Sequence, residues 1–224
     1  LNIKHTSAPF YQMALTCNKR DCLSVVAKQG VPVAKSIYLN AGEAFDLNEI
    51  EQSLIYPFFV KPNRSGSSYG ISKVHNRSEL IKGMEAAFAE DNEILMESFL
   101  DGMEVSIGVI SSKKGPLVLP ITEIVSENDF FDYEAKYQGK SQEITPARIS
   151  DELANELSMT ANKLYSALGM KGFSRSEFII VNGIPHFIEM NTVPGLTAES
   201  ILPQQAKSAN MDLQELFTLA IEQA

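Results

Sequence analysis

The sequence contains no tryptophan, three histidines and two cysteines, and its 28 acidic residues outnumber its 19 lysines and arginines. Each shortage removes a class of function. Cys17 and Cys22 fall in one helix-like stretch at a spacing that suits neither a zinc site nor a disulfide framework, so both read as buried free thiols. No Ser-His-Asp constellation is evident, and a triad nucleophile is not expected. With a net charge of −9 and a pI near 4.9, the chain lacks the basic face that nucleic acid or an anionic membrane requires; an anionic substrate must be met by a few local cations. No apolar run approaches a membrane span, and Leu1-Asn2-Ile3-Lys4-His5 is not a secretion signal, so the expected compartment is the cytoplasm. The chain opens on Leu1 rather than Met, on the approach to a helix, and is expected to be part of a longer protein. Internal repeats and low-complexity segments are also missing.

What is present is ample apolar material: 44% of the 224 residues are hydrophobic, enough for one large domain or two small ones. Periodicity predicts a helix from Ala14 to Gln29 stopped by Gly30, a strand from Val33 to Tyr38 and a short helix from Asp46 to Leu54. A strand, polar loop and strand follow (Pro57 to Lys61, Asn63 to Gly70, Ile71 to Val74), then a helix opened by Asn76 and Glu79 in a capping-box-like pair. Strands are expected at Glu93 to Glu97, Glu104 to Ile110 and Leu117 to Val125. Ser126 to Pro146 lacks periodicity and carries Phe130, Phe131, Tyr133 and Tyr137, which reads as a functional loop or lid, with disorder as the alternative. Ser150 caps a helix to Leu168, a hairpin spans Phe173 to Met190, and a last helix covers Leu213 to Ile221. The sum is an α+β fold.

The most informative run is Glu189-Met190-Asn191-Thr192-Val193-Pro194-Gly195. Strand alternation puts Phe187, Glu189 and Asn191 on one face and Ile188 and Met190 on the other, so two oxygen ligands suited to a hard cation lie side by side. On the preceding strand Arg175, Glu177, Ile179 and Val181 share a face, and Asn182-Gly183 marks the turn. A two-residue turn would pair Glu177 with Ile188; an odd-numbered loop centred on Gly183 would pair Glu177 with Glu189 and gather four polar side chains on one surface. The odd loop is the expected one.

Lys61 ends an apolar strand and precedes Pro62-Asn63-Arg64-Ser65-Gly66-Ser67-Ser68-Tyr69-Gly70, whose small residues and hydroxyls suit either a phosphate cradle or a plain polar hairpin. It is not a Walker A loop. Glu93 to Leu100, followed by Gly102-Met103-Glu104, could present backbone and carboxylates to a purine nucleoside, or could be a buried strand with an exposed turn. Lys19 and Lys136 are surface lysines by default.

In this order the segments Ala14-Leu15-Thr16-Cys17-Asn18-Lys19, Phe59-Val60-Lys61-Pro62, Phe131-Asp132-Tyr133-Glu134-Ala135-Lys136-Tyr137 and Glu189 to Gly195 resemble the D-alanine–D-alanine ligase family of the ATP-grasp superfamily. The resemblance implies an ATP-grasp fold with the nucleotide between two α+β subdomains, divided here as residues 1–97 and 98–224. It implies Lys19 and Lys61 on the phosphates of ATP, Ser67 and Ser68 in a loop over the triphosphate, Glu97, Phe99 and Leu100 at the adenine, and Glu104 at the ribose. Glu177, Glu189 and Asn191 match magnesium ligands, for two ions, with Mn²⁺ as a substitute. Arg175 and the Gly195 N–H match groups that stabilise a tetrahedral intermediate. Lys136, Ser200 and Ile201 match the acceptor end, and Tyr137, expected to close onto Ser67, the lid. The implied reaction joins two D-alanines through an acylphosphate for peptidoglycan precursors. Rival readings are another acceptor (D-lactate, D-serine or a different amino acid) or a non-catalytic nucleotide-binding domain. Two departures stand out. Glu177 replaces the family's usual Asp, and the family's N-terminal domain has no counterpart here, so the chain reads as the ATP-grasp part of such a ligase. A homodimer is the expected assembly at full length.

Overall fold

The computed structural model describes residues 4–126 and 141–224. The predicted first helix is two, α1 (Phe10–Cys17) and α2 (Lys19–Lys28), because Asn18 leaves the helical region (φ −86°, ψ 101°) and caps α2 by accepting from the Asp21 N–H at 3.1 Å. The break puts Lys19 at the first position of α2, where its N–H bonds the Asn63 carbonyl at 3.2 Å.

β1 (Ser36–Asn40), α3 (Leu47–Ser53), β2 (Phe58–Pro62), β3 (Ser72–Val74), α4 (Arg77–Glu90) and β4 (Glu93–Ser98) follow. The first strand starts later than expected; Val33 makes only an isolated bridge to Phe187. Asn76 caps α4 through the Glu79 N–H, while the Glu79 carboxylate returns to the N–H of His75 rather than of Asn76. The four strands form an antiparallel sheet in the order β1-β4-β2-β3, and α3 and α4 bury Ile50, Leu54, Leu80 and Met84 against Phe58, Val60, Ile94 and Met96.

The larger sheet comprises β5 (Met103–Ser112), β6 (Gly115–Val118), β7 (Thr122–Ser126), β8 (Ser141–Ile144), β9 (Phe173–Val181) and β10 (Ile184–Asn191), ordered β10-β9-β5-β7-β8 with β6 on β5. The single strand expected from Leu117 to Val125 is two, because β6 pairs with the far half of the ten-residue β5 and β7 with its near half. α5 (Asp151–Ala167) packs on one face of this sheet together with α2, whose Cys22, Leu23 and Val26 join Val105, Ile107, Phe178, Phe187 and Met190 in the main core. α6 (Ile201–Ser208) and α7 (Leu213–Glu222) pack on the other face, over Ile110, Leu119 and Phe173. α6 was not expected: Pro203 masks it, although in the first turn a missing N–H costs no helical hydrogen bond. No helix among the described residues is long and apolar enough to cross a membrane.

Gly102 leads from the small sheet into β5, and a Cβ there would stand 2.2 Å from the Ile180 carbonyl oxygen. Backbone cannot retreat as a flexible side chain can. Gly102→Ala is therefore expected to lower stability by about 1–3 kcal/mol, read from urea unfolding; an unchanged midpoint would mean this junction yields freely.

Candidate functional site

The hairpin β9-β10 builds the centre of the site. Asn182 (φ 51°) and Gly183 (φ 80°) are both left-handed, as a tight two-residue turn requires, and they pair Val181 with Ile184 and Phe178 with Phe187. Between Phe187 and Glu189 the register shifts by one, so that Glu177 faces Glu189 and Arg175 faces Asn191. The expected pairing is present, but its cause is different. The extra residue, Ile188, lies in a bulge of the strand rather than in an odd loop. Alternation is reset there: Phe187 turns fully into the core, whereas Ile188, Glu189 and Asn191 line the cleft, so Phe187 does not share the face of Glu189.

Arg175 Nε donates to Glu177 Oε1 at 2.7 Å, with side-chain exposures of 15% and 7%. Burial opposes the guanidinium charge, but the field and hydrogen bond of Glu177, aided by Glu189 and Glu143, outweigh it and raise the Arg175 pKa. The second oxygen of Glu177, Oε2, is buried without a hydrogen-bond partner. A buried, unmatched carboxylate oxygen beside a second carboxylate is the chemistry a hard cation satisfies. Asn191 Oδ1 accepts from the Val193 N–H at 2.9 Å, which uses one of its two lone pairs. Among the described residues no three His, Cys, Asp or Glu side chains are grouped to hold a metal; the donor set here is two carboxylates and an amide.

Across a cleft of about 1040 Å³ lie the cations. Lys19 Nζ donates to the Ser65 carbonyl at 2.9 Å; burial lowers its pKa, against the field of Glu189 and with that of Lys61. Lys61 pairs with Glu97, both largely buried, and sits 5.2 Å from the centre of the Phe59 ring. Ser67 and Ser68, which line the same cleft, hold positive φ values of 53° and 59°, a backbone state that costs each residue about 1–3 kcal/mol and often marks a ligand clamp. Leu100 and Glu104 line the same cleft. Phe99 does not; its ring meets Phe59 at 6.2 Å and carries Lys73 at 4.2 Å. Gly195 approaches the N-cap of α6 so closely that a Cβ would stand 2.7 Å from Ser200 Oγ, which also bonds Thr197 Oγ1. Ser200 and Ile201 complete that end. Lys136, Tyr137 and most of the anticipated lid lie outside the described residues.

Two findings revise the sequence reading. Cys17 is exposed and lines the cleft rather than being buried; only Cys22 is buried, which pushes its thiol pKa up to about 12. The reading also missed Glu143, which fell in the aperiodic stretch but sits on β8 opposite Ile124 and lines the cleft. Burial raises its pKa against the pull of Arg175.

Residues 25–222 match the family described as D-ala D-ala ligase C-terminus. A D-alanine–D-alanine ligase of Flavobacterium johnsoniae is 60% identical over 222 residues, 99% of this chain and 69% of the relative. One of Christiangramia forsetii is 52% identical over 224 residues, again 69% of the relative. Among solved structures, VanG D-Ala:D-Ser ligase from Enterococcus faecalis superposes with a TM-score of 0.85 at 32% identity, covering 97% of this chain and 64% of that one. D-alanine–D-alanine ligase from Bacillus anthracis complexed with ATP gives 0.82 at 25% identity, covering 97% and 68%. The chain thus spans about two thirds of the length of these relatives. A family match across most of its residues and 60% identity with a relative over nearly all of them make this chain a member of the D-alanine–D-alanine ligase family, with the α+β ATP-grasp fold of that family's C-terminal part.

Proposed function

We propose that the chain forms the ATP-grasp part of a cytoplasmic, ADP-forming ligase that joins two D-alanines through an acylphosphate, supplying a peptidoglycan precursor. The observation that carries this reading is the bulged register of β9-β10, which sets Glu177 and Glu189 side by side next to Arg175 and across one cleft from Lys19 and Lys61. Lys19 and Lys61 hold the ATP phosphates, and Ser67 and Ser68 close the loop over them. Glu97, Leu100 and Glu104 receive the adenosine, with Phe99 contributing backbone rather than its ring, and Glu97 also holds Lys61 in place. Glu177, Glu189 and Asn191 hold magnesium, the longer Glu177 being steadied by Arg175. Bound magnesium supplies charge neutralisation on the transferring phosphoryl group. Arg175 and the Gly195 N–H stabilise the oxyanion formed when the acceptor amine attacks, and Ser200 and Ile201 orient the acceptor. Lys136 and Tyr137 keep the acceptor and lid roles that the family resemblance gives them. Division into subdomains 1–97 and 98–224 is part of the same reading, supported by the two separate sheets, although α1 and α2 pack on the larger one; so is a homodimer.

The reading is tested by coupled phosphate release from the full-length protein with D-alanine, D-serine and D-lactate, with products identified by mass. Absence of D-alanine-dependent turnover would overturn it. Calorimetry on point variants tests the phosphate end: Lys61→Ala is expected to weaken ATP binding by about tenfold or more, the scale of one charge-assisted contact, and Lys73→Ala, whose ammonium rests on Phe99, far less. Equal losses would make the Lys61 loop structural.

A further inference from the structure

We propose that Glu143 is an acceptor-specificity residue whose carboxylate receives the ammonium group of the incoming amino acid. The inference rests on the ligase reading above and deepens it. An α-amino acid carries its carboxylate and its ammonium on one carbon, so a site that takes the first at a helix N-terminus needs an anion within one side chain's reach of that terminus. Glu143 meets this condition. Its Oε2 accepts from Gln204 Nε2 at 3.0 Å, and the same amide nitrogen donates to the Glu199 carbonyl at 2.8 Å, which ties β8 to the start of α6 where Ser200 and Ile201 line the cleft.

A second condition comes from the chemistry. The acceptor nitrogen must attack a carbonyl carbon whose oxygen is stabilised by Arg175, so any group that reads the acceptor amine lies close to that guanidinium. Glu143 and Arg175 line the same cleft, within range of each other's charge. Of the other two carboxylates near Arg175, Glu189 is assigned to magnesium, and Glu177 is committed to the guanidinium by a hydrogen bond and is 5% exposed, so neither is well placed to meet a second cation. Glu143 is half-buried and lines the cleft, and among the described residues its hydrogen-bond partner is the neutral amide of Gln204. A D-hydroxy acid of the same shape has a hydroxyl where D-alanine has an ammonium and gains no ion pair there.

Product partition tests this in the full-length protein at neutral pH with D-alanine and D-lactate supplied together. Both products arise from one shared acylphosphate, so the dipeptide-to-ester ratio reports the acceptor alone and is blind to donor binding and to phosphoryl transfer. Glu143→Gln keeps the size of the side chain and an oxygen for Gln204, and is expected to lower the ratio by about tenfold to a hundredfold. Glu143→Asp keeps the charge and should recover part of it. A lower overall rate with an unchanged ratio would overturn the assignment while leaving the ligase reading intact, and so would an Asp variant no better than Gln. Absence of both products from the wild type would overturn both.

Discussion

Glu189→Gln is expected to abolish magnesium-dependent ATP turnover and to leave the fold standing. The carboxylate reaches the cleft only because the bulge at Ile188 turns it away from the core, where Phe187 and Met190 are packed. The amide keeps the shape of the side chain and one oxygen donor, and the buried neighbours on either side are untouched. What is lost is one of two negative charges facing each other across β9-β10, and magnesium depends on carboxylate charge to offset the cost of shedding its waters. Removing even an indirect partner of a metal ligand commonly costs 10–100-fold, so loss of a ligand is expected to cost about a hundredfold or more. Turnover measured against magnesium concentration, beside a thermal melt, checks both halves. Wild-type turnover in the variant would remove Glu189 from the metal site, and a collapsed melt would make it structural.

Arg175→Met is expected to damage activity and stability together, by separable routes. A donor aimed at a developing oxyanion contributes about 3–4 kcal/mol, so kcat should fall by about 10²–10³-fold. The same change strands Glu177, whose Oε1 loses its donor while Oε2 already lacks one, and an uncompensated buried carboxylate costs roughly 3–5 kcal/mol. The double variant Arg175→Met with Glu177→Gln removes the stranded charge, so it should regain stability in urea unfolding without regaining activity. Stability unchanged in the single variant would mean that Glu177 is solvated or partnered otherwise, and kcat unchanged would dismiss Arg175 from the chemistry.

Local signals were legible where the physics is local. Asn76, Ser150 and Gly30 mark helix ends because capping is a matter of a few neighbouring atoms: Asn76 and Ser150 are N-caps, and Gly30, with φ 76°, follows the Gln29 C-cap of α2. The helix break at Asn18 was not legible. Its cap is completed from outside by Asn63, 45 residues away, whose Nδ2 donates to Asn18 Oδ1 at 2.9 Å. Glu143 escaped notice for a related reason: a four-residue edge strand carries too few positions for alternation to be seen, and only its pairing with β7 defines it.

The kinds of chemistry available to this protein follow from its residue types alone. Two carboxylates and an amide on adjacent strands favour a hard cation, and an acidic chain must gather its few lysines and arginines to bind an anion, because donor type and charge belong to the side chains wherever they stand. Which of those groups meet depends on how the strands pair. Whether Glu177 faces Glu189 turns on a single extra residue, and the turn sequence Asn182-Gly183 taken alone gives the wrong pairing. Burial of Phe178 and Phe187 on one side of the bulge, and of Met190 on the other, is compatible with Glu189 at the cleft only if the strand takes in that residue. A one-residue slip reverses every side chain beyond it, so the register of the site was set by what the core on the opposite face of the sheet would accept.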